Sequence, residues 1–89
     1  MVRAHIFFSG TVQGVGFRYT TLSFARQSSL TGWVKNLSDG RVEAVAEGPQ
    51  EDIEKLVSDL KTHFGGHIHH HHIEWLEAQD EFEQFSIII

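Results

Sequence analysis

The order of strand-like and helical segments in this 89-residue chain predicts an α+β sandwich, in which two helices cover one face of an antiparallel sheet. Three features support this prediction: short segments with alternating apolar residues, two amphipathic helical segments, and a hairpin turn between them. Together they give the order β-α-β-β-α-β, followed by one more strand-like segment or ending in a long, interrupted last strand. The length suits a single domain over residues 1–89.

The first half of the chain contains a strand, a loop, a helix and a second strand. Residues Ala4–Ser9 are predicted as a strand because their apolar residues alternate. The helix is predicted over Phe17–Gln27, and Thr31–Leu37 is predicted as the second strand. The apolar face of the helix is expected to consist of four residues: Phe17, Tyr19, Leu22 and Ala25.

The second half begins with a hairpin and continues with the strongest helical pattern in the chain. Asp39-Gly40 is a favourable hairpin turn, and the strand Arg41–Glu47 follows it. Pro49 suits the first turn of a helix, in which apolar residues recur every three or four positions until Gly65-Gly66 ends it. Residues 68–77 and 82–89 are predicted as the last strands.

Composition and charge exclude several classes of function. The chain has no cysteine, which excludes disulfides, thiolate zinc sites and thiol nucleophiles. Its formal net charge is −5, which disfavours nucleic acid as a partner because phosphate backbones bind basic surfaces. No apolar run approaches the roughly 18 residues of a membrane span, and no signal sequence is evident. We therefore expect a cytoplasmic protein that binds neither nucleic acid nor membranes. A monomer is expected, although nothing in the sequence establishes the oligomeric state.

The loop between the first strand and the first helix has the composition of an anion site. It reads Gly10-Thr-Val-Gln-Gly-Val-Gly-Phe-Arg18. Its glycines allow backbone N–H groups to converge, the following helix adds its positive end, and Arg18 can bind phosphate oxygens in bidentate fashion. The alternative is an ordinary tight connection with a solvated arginine. The loop has neither the Gly-Lys-Ser/Thr ending of a P-loop nor a dinucleotide-binding fingerprint.

A second polar residue stands where the next strand ends. Asn36 closes the segment Gly32-Trp-Val-Lys-Asn36, directly before the predicted turn. Asparagine often forms turns, so this position by itself is compatible with a structural role.

Taken together, the two segments resemble the paired signatures of the acylphosphatase family. Asp39-Gly40-Arg-Val-Glu, Glu47-Gly48-Pro49 and Phe85-Ser-Ile87 are also similar to that family. The resemblance extends over essentially the whole chain. It implies a ferredoxin-like fold and an enzyme that hydrolyses the carboxyl-phosphate anhydride of a small-molecule acyl phosphate to a carboxylate and phosphate.

The resemblance also implies the roles of the site residues, with no cofactor or metal required. Arg18 would bind the phosphate, and Asn36 would orient the attacking water. Thr11 departs from the family pattern, because relatives often have a basic residue there, and this could weaken phosphate binding. Six backbone amides would form the phosphate-binding loop, those of Val12, Gln13, Gly14, Val15, Gly16 and Phe17.

A run of histidines over residues 67–72 supports an alternative function, a non-catalytic ferredoxin-like module that binds metal. Imidazoles two residues apart on a strand can chelate a divalent metal ion. One of the histidines, His71, is expected to be partly buried beside Ile73 and Trp75, and Trp75 itself is expected in the core. The possible accessory ligands are His69, His70, His71 and His72.

A third possibility is a carbamoyl-phosphate-handling domain like the one that opens the large hydrogenase-maturation factors. The length of the chain argues against this possibility.

Overall fold

The computed structural model describes all 89 residues and contains five strands and two α-helices. Every predicted element is present, and the observed ends lie within three residues of the predicted ones. Neither helix combines the length and the apolar composition needed to cross a bilayer. In chain order the elements are β1 (Val2–Gly10), α1 (Phe17–Gln27), β2 (Thr31–Asn36), β3 (Val42–Gly48), α2 (Gln50–Phe64), a 3₁₀ turn (Gly65–His67), β4 (Ile68–Glu77) and β5 (Phe85–Ile88).

The sheet has the order β4-β1-β3-β2-β5, and the predicted antiparallel pairing is present between its first four strands but not at β5, so the sheet is mixed. The first four strands are antiparallel to their neighbours, but β5 pairs in parallel with β2. The connection between β4 and β5 explains this difference. Residues 78–84 cross from one edge of the sheet to the other at the end where β4 finishes. Therefore β5 must start there and run in the same direction as β2.

Both helices pack on one face of the sheet, as predicted, and the core lies between the two layers. Three alternate residues in the middle of β1 are fully buried on this face: Ala4, Ile6 and Phe8. One prediction for α1 is wrong: Tyr19 is 72% exposed, whereas Thr21 is fully buried. Thr21 can be buried because its hydroxyl donates a hydrogen bond of 2.8 Å to the Phe17 carbonyl.

The edge strand β4 is less covered than the other strands. The helices pack over β1, β2, β3 and β5 rather than over β4. Trp75 was predicted in the core, but it is 39% exposed, and its neighbour Leu76 is 40% exposed. The alternation along β4 was therefore predicted correctly, whereas the burial of its second half was not.

Candidate active site

The glycine loop after β1 and Asn36 at the end of β2 lie at the same end of the sheet. Phe8 of β1 is paired with Val42 of β3, which is paired in turn with Asn36 of β2. Asn36 thus lies two strands away from β1, roughly 10 Å, close to the point where β1 ends and the glycine loop begins. The parallel partner β5 ends beside it, because Ile88 is opposite Lys35.

The loop between β1 and α1 is anchored at both ends. Thr11 donates its backbone N–H to the His67 carbonyl at 2.9 Å, and the Val12 side chain is buried in the core. At the other end, the ring of Phe17 packs 5.0 Å from Phe8 and 4.7 Å from Phe64. Between these anchors the backbone changes direction twice.

Two glycines make this path possible. Gly14 has a φ of +77°, and Gly16, the N-cap of α1, has a φ of +80°. These left-handed conformations cost other L-residues about 1–2 kcal/mol each, so glycine is favoured at both positions. A loop that alternates in this way turns successive N–H groups toward solvent, which is the geometry of an anion-binding nest.

The N–H groups of this loop have no acceptor within the chain. No backbone amide from Val12 to Phe17 donates a hydrogen bond to another residue. The first turn of α1 has no side-chain cap and no acidic residue, so its positive end is uncompensated as well. The six predicted amides therefore form a continuous run of free donors.

Arg18 is the one arginine of the chain that has no partner within it. Arg3 pairs with carboxylates, Arg26 donates to the Phe85 carbonyl, and Arg41 pairs with Asp39. Arg18 is half-buried in the first turn of α1, beside a cleft of about 350 Å³. The cleft is lined by Arg18, Tyr19, Ile87 and Ile89. A guanidinium at this position is available for a ligand.

Asn36 contains an orphaned polar atom. Its Oδ1 is buried and has no hydrogen-bond partner in the chain. An unsatisfied buried acceptor of this kind costs about 1–3 kcal/mol. The register places Asn36 on the same face of the sheet as Ile87, which lines the cleft beside Arg18. A water molecule or ligand that donates to this oxygen would remove the cost.

The side chain of Gln13 has a role that the sequence analysis missed, since only its amide was considered. Its Nε2 donates to the Leu37 carbonyl at 2.7 Å and to the Arg41 carbonyl at 2.9 Å. These bonds tie the loop to the hairpin at the residue after Asn36. No sequence pattern indicates them, because the acceptors are backbone carbonyls 24 and 28 residues away.

The histidines of β4 do not form a metal centre. No group of three histidine, aspartate or glutamate side chains is placed to hold a metal ion. Strand alternation contributes to this, because it puts His70 and His72 on one face of the sheet and His71 on the other, while His69 lies at the irregularity opposite Ser9 and Gly10. His71 is half-buried, as predicted, and burial, followed by the nearby Lys61 and His70, lowers its pKa. The metal-binding alternative is therefore not supported.

The two helices packed on one face of a five-stranded sheet define a two-layer α+β protein, and its free loop amides lie at a helix N-terminus next to an unpaired arginine. The family comparison identifies which protein family this is. The acylphosphatase family model matches residues 4–87. The chain therefore belongs to the acylphosphatase family. This confirms the family and the ferredoxin-like fold that the sequence predicted.

Individual relatives agree with the family model. The acylphosphatase of Nostoc sp. is 60% identical over 57 residues, which span 64% of this chain but only 56% of that protein. The acylphosphatase of Roseiflexus sp. is 44% identical over 92 residues, covering 99% of this chain and 96% of the relative. Among solved structures, the acylphosphatase from Bacillus subtilis has a TM-score of 0.93 at 36% identity, with complete coverage of both chains.

Proposed function

We propose that this protein hydrolyses acyl phosphates to a carboxylate and inorganic phosphate. The observation that carries the proposal is the run of free backbone N–H groups at residues 12–17, next to the unpaired Arg18. A phosphoryl group fits this donor set because it presents several oxygens and a negative charge to one small region. The absence of nucleic-acid binding stays a prediction from the net charge.

Phosphate binding and transition-state stabilisation use the same donors. The loop amides and the guanidinium of Arg18 contact the non-bridging phosphoryl oxygens, on which charge develops as the bond to the acyl oxygen breaks. Because glycine geometry and core anchors hold the loop, its N–H groups need little reorganisation during the reaction. The net charge of −5 makes these local donors necessary for attracting an anionic substrate.

The hydrolytic step needs a positioned water. In the proposed mechanism, the side-chain amide of Asn36 orients a water, and the oxygen of that water attacks phosphorus. The phosphorus–oxygen bond to the acyl group breaks, and its electron pair leaves with the carboxylate. The proton of the attacking water passes to a phosphoryl oxygen. A carboxylate is a good leaving group, so this step does not require a general acid.

The cleft beside Arg18 is suited to the acyl part of the substrate. Three of its four lining side chains, those of Tyr19, Ile87 and Ile89, offer apolar surface next to the proposed phosphate site. An aromatic acyl group would bury part of this surface, whereas an acetyl group would contact little of it. Replacing Tyr19 with alanine should therefore raise KM for benzoyl phosphate severalfold, and leave KM for acetyl phosphate unchanged.

The test of the proposed function is hydrolysis of benzoyl phosphate by the parent protein and by matched variants. Arg18→Ala and Asn36→Ala are each expected to lower kcat/KM by about 10²–10³-fold, the usual cost of losing a preorganised transition-state contact. Arg26→Ala and Gln27→Ala are the controls, because they remove an arginine and a side-chain amide from the opposite end of α1. Circular dichroism checks that each variant folds.

Two results would overturn the assignment. One is a parent protein without activity on any acyl phosphate, and the other is activity that survives Arg18→Ala in a folded variant. Activity that disappears with a chelator and returns with added metal would require a different mechanism from the amide loop.

A further inference from the structure

The C-terminal end of α2 contacts both ends of the glycine loop. Phe64, the last residue of α2, stacks on Phe17, where the loop enters α1, with the ring centres 4.7 Å apart. Three residues later, the His67 carbonyl accepts the N–H of Thr11 at the start of the loop, at 2.9 Å. We propose that this segment, the 64–67 turn, positions the phosphate-binding loop, and that the side chain of His67 is the positioning residue. The proposal rests on the proposed function of the loop.

The 64–67 turn approaches the start of the loop so closely that a side chain would not fit between them. A Cβ at Gly10 would collide with the carbonyl oxygen of His67. The pairing between β1 and β4 also changes register here, between Ser9 and Gly10. Because backbone packs directly against backbone, a displacement of the turn moves the first residue of the loop with it.

The backbone of the turn is held by few groups of its own. After Phe64 it consists of Gly65, Gly66 and His67, which form the 3₁₀ turn. Glycine loses more conformational freedom on folding than any other residue, so two glycines in succession make a turn costly to order. Neither glycine has another atom within 4 Å of the place where a Cβ would lie. His67 therefore supplies the only side chain that can fix the 3₁₀ turn.

The ring of His67 bridges the two ends of the turn. Its Nδ1 lies 3.1 Å from the Phe64 carbonyl oxygen. A carbonyl oxygen only accepts, so the ring donates, and both the neutral Nδ1–H tautomer and the protonated ring can do so. The bond fixes Phe64, which packs on one end of the loop, relative to the His67 carbonyl, which binds the other end.

Two separate contacts then hold the loop on different sides. The side chain of Gln13 ties the middle of the loop to the hairpin, whereas the 64–67 turn ties both of its ends to α2. Among the histidines of residues 67–72, only His67 uses its ring in a hydrogen bond within the chain. The ring of His70, for example, is exposed and makes none.

Two substitutions at His67 separate the donor from the ring. His67→Phe keeps a ring but has no N–H, whereas His67→Asn has an N–H group bonded to Cγ, as the Nδ1 of histidine is. His67→Phe should raise the Kd for inorganic phosphate, measured by calorimetry, by about threefold to tenfold, the range expected for losing one hydrogen bond. His67→Asn should stay within about twofold of the parent. His70→Phe makes the same change at an exposed position of β4 and should have no effect.

Steady-state hydrolysis of benzoyl phosphate distinguishes positioning from stability. Because the loosened loop is ordered again when the phosphoryl group binds, His67→Phe should raise KM in parallel with the phosphate Kd and leave kcat within about twofold. A lower free energy of unfolding in urea with an unchanged Kd and KM would overturn the proposal. Equal increases of the Kd in His67→Phe and His67→Asn would also overturn it, because the donor would then be irrelevant.

Failure of the proposed function gives a different result. A parent protein that binds phosphate but hydrolyses no acyl phosphate would overturn the proposed function, while the phosphate Kd values of the variants would still decide the role of His67. A parent protein that binds no phosphate would overturn both.

Discussion

The two ends of the sheet present the same kinds of donor, but only one end has an acceptor within the chain. At the end where β4 finishes, the carboxylate of Glu47 accepts hydrogen bonds from the amides of Gln79 and Asp80, at 2.8 and 3.0 Å. Arg3 completes this site through its Nε, 2.7 Å from Glu47. At the other end, the amides of residues 12–17 and the guanidinium of Arg18 have no anion from the chain.

This difference shows that the same kinds of donor can contribute to folding at one end of the sheet and to ligand binding at the other. Glu47 binds the segment that crosses from β4 to β5, so the anion that accepts these hydrogen bonds is a side chain of the protein itself. Arg3 also pairs with Glu81 in that segment and lies 5.0 Å from the ring centre of Phe82. The glycine loop leaves its donors without an acceptor from the chain, so they are available to a ligand. We expect that loss of the contacts to Glu47 reduces stability, whereas loss of the donors in the glycine loop or of Arg18 reduces activity.

The largest effect on stability is expected from breaking the Glu47 site. Glu47→Ala removes a buried acceptor of three hydrogen bonds and leaves the amides of Gln79 and Asp80 unsatisfied. Urea unfolding should show a loss of about 2–3 kcal/mol, in line with hydrogen bonds to charged groups. The rate of benzoyl phosphate hydrolysis by the folded variant should stay within about twofold of the parent. A large loss of activity without a loss of stability would contradict the comparison.

The same site predicts the direction of the pH dependence. Burial alone would raise the pKa of Glu47, but hydrogen bonds from Gln79, Arg3 and Asp80 outweigh it and hold the pKa below its ordinary value. A carboxylate with a lowered folded pKa contributes stability above its unfolded pKa, about 4.3, and loses it as the pH falls through the folded value. The stability difference between the parent and Glu47→Ala should therefore shrink progressively below about pH 4.

Inorganic phosphate should stabilise the parent protein by occupying the other end of the sheet. At a phosphate concentration ten times its Kd, linkage predicts a gain of about 1.4 kcal/mol, measured as a rise in Tm. Arg18→Ala should lose most of this gain, whereas Arg3→Ala should begin from a lower Tm and keep the gain. Equal responses in both variants would show that phosphate binds elsewhere.

The smallest effect is expected from the link between the loop and the hairpin. Gln13→Ala removes the two hydrogen bonds to the Leu37 and Arg41 carbonyls while leaving the loop amides in the sequence. We expect kcat to fall by about threefold to tenfold, because the position of the loop relative to Asn36 would no longer be fixed. Gln27→Ala, an exposed glutamine on α1, is the control. An unchanged kcat with a changed Tm would assign Gln13 to stability alone.

Local patterns were sufficient to predict most of the fold, and they failed where distant segments meet. The alternation in β1, the Asp39-Gly40 turn and the three- and four-residue spacing in α2 each depend on neighbours in sequence, and the corresponding elements are present. The parallel pairing of β5 was missed because it depends on where residues 78–84 cross. The exposure of Trp75 was missed because it depends on which strands the helices cover.

By itself, the sequence determined the order of the elements, the family, and the residue types at the proposed site. Glycine positions, an arginine after the loop and an asparagine at a strand end are short-range features that a linear pattern can contain. Only the tertiary structure decided that the loop amides lack acceptors, that Asn36 Oδ1 is buried without a partner, and that Gln13 bonds to the hairpin. Whether a donor or an acceptor is satisfied depends on what other segments bring within about 3 Å of it.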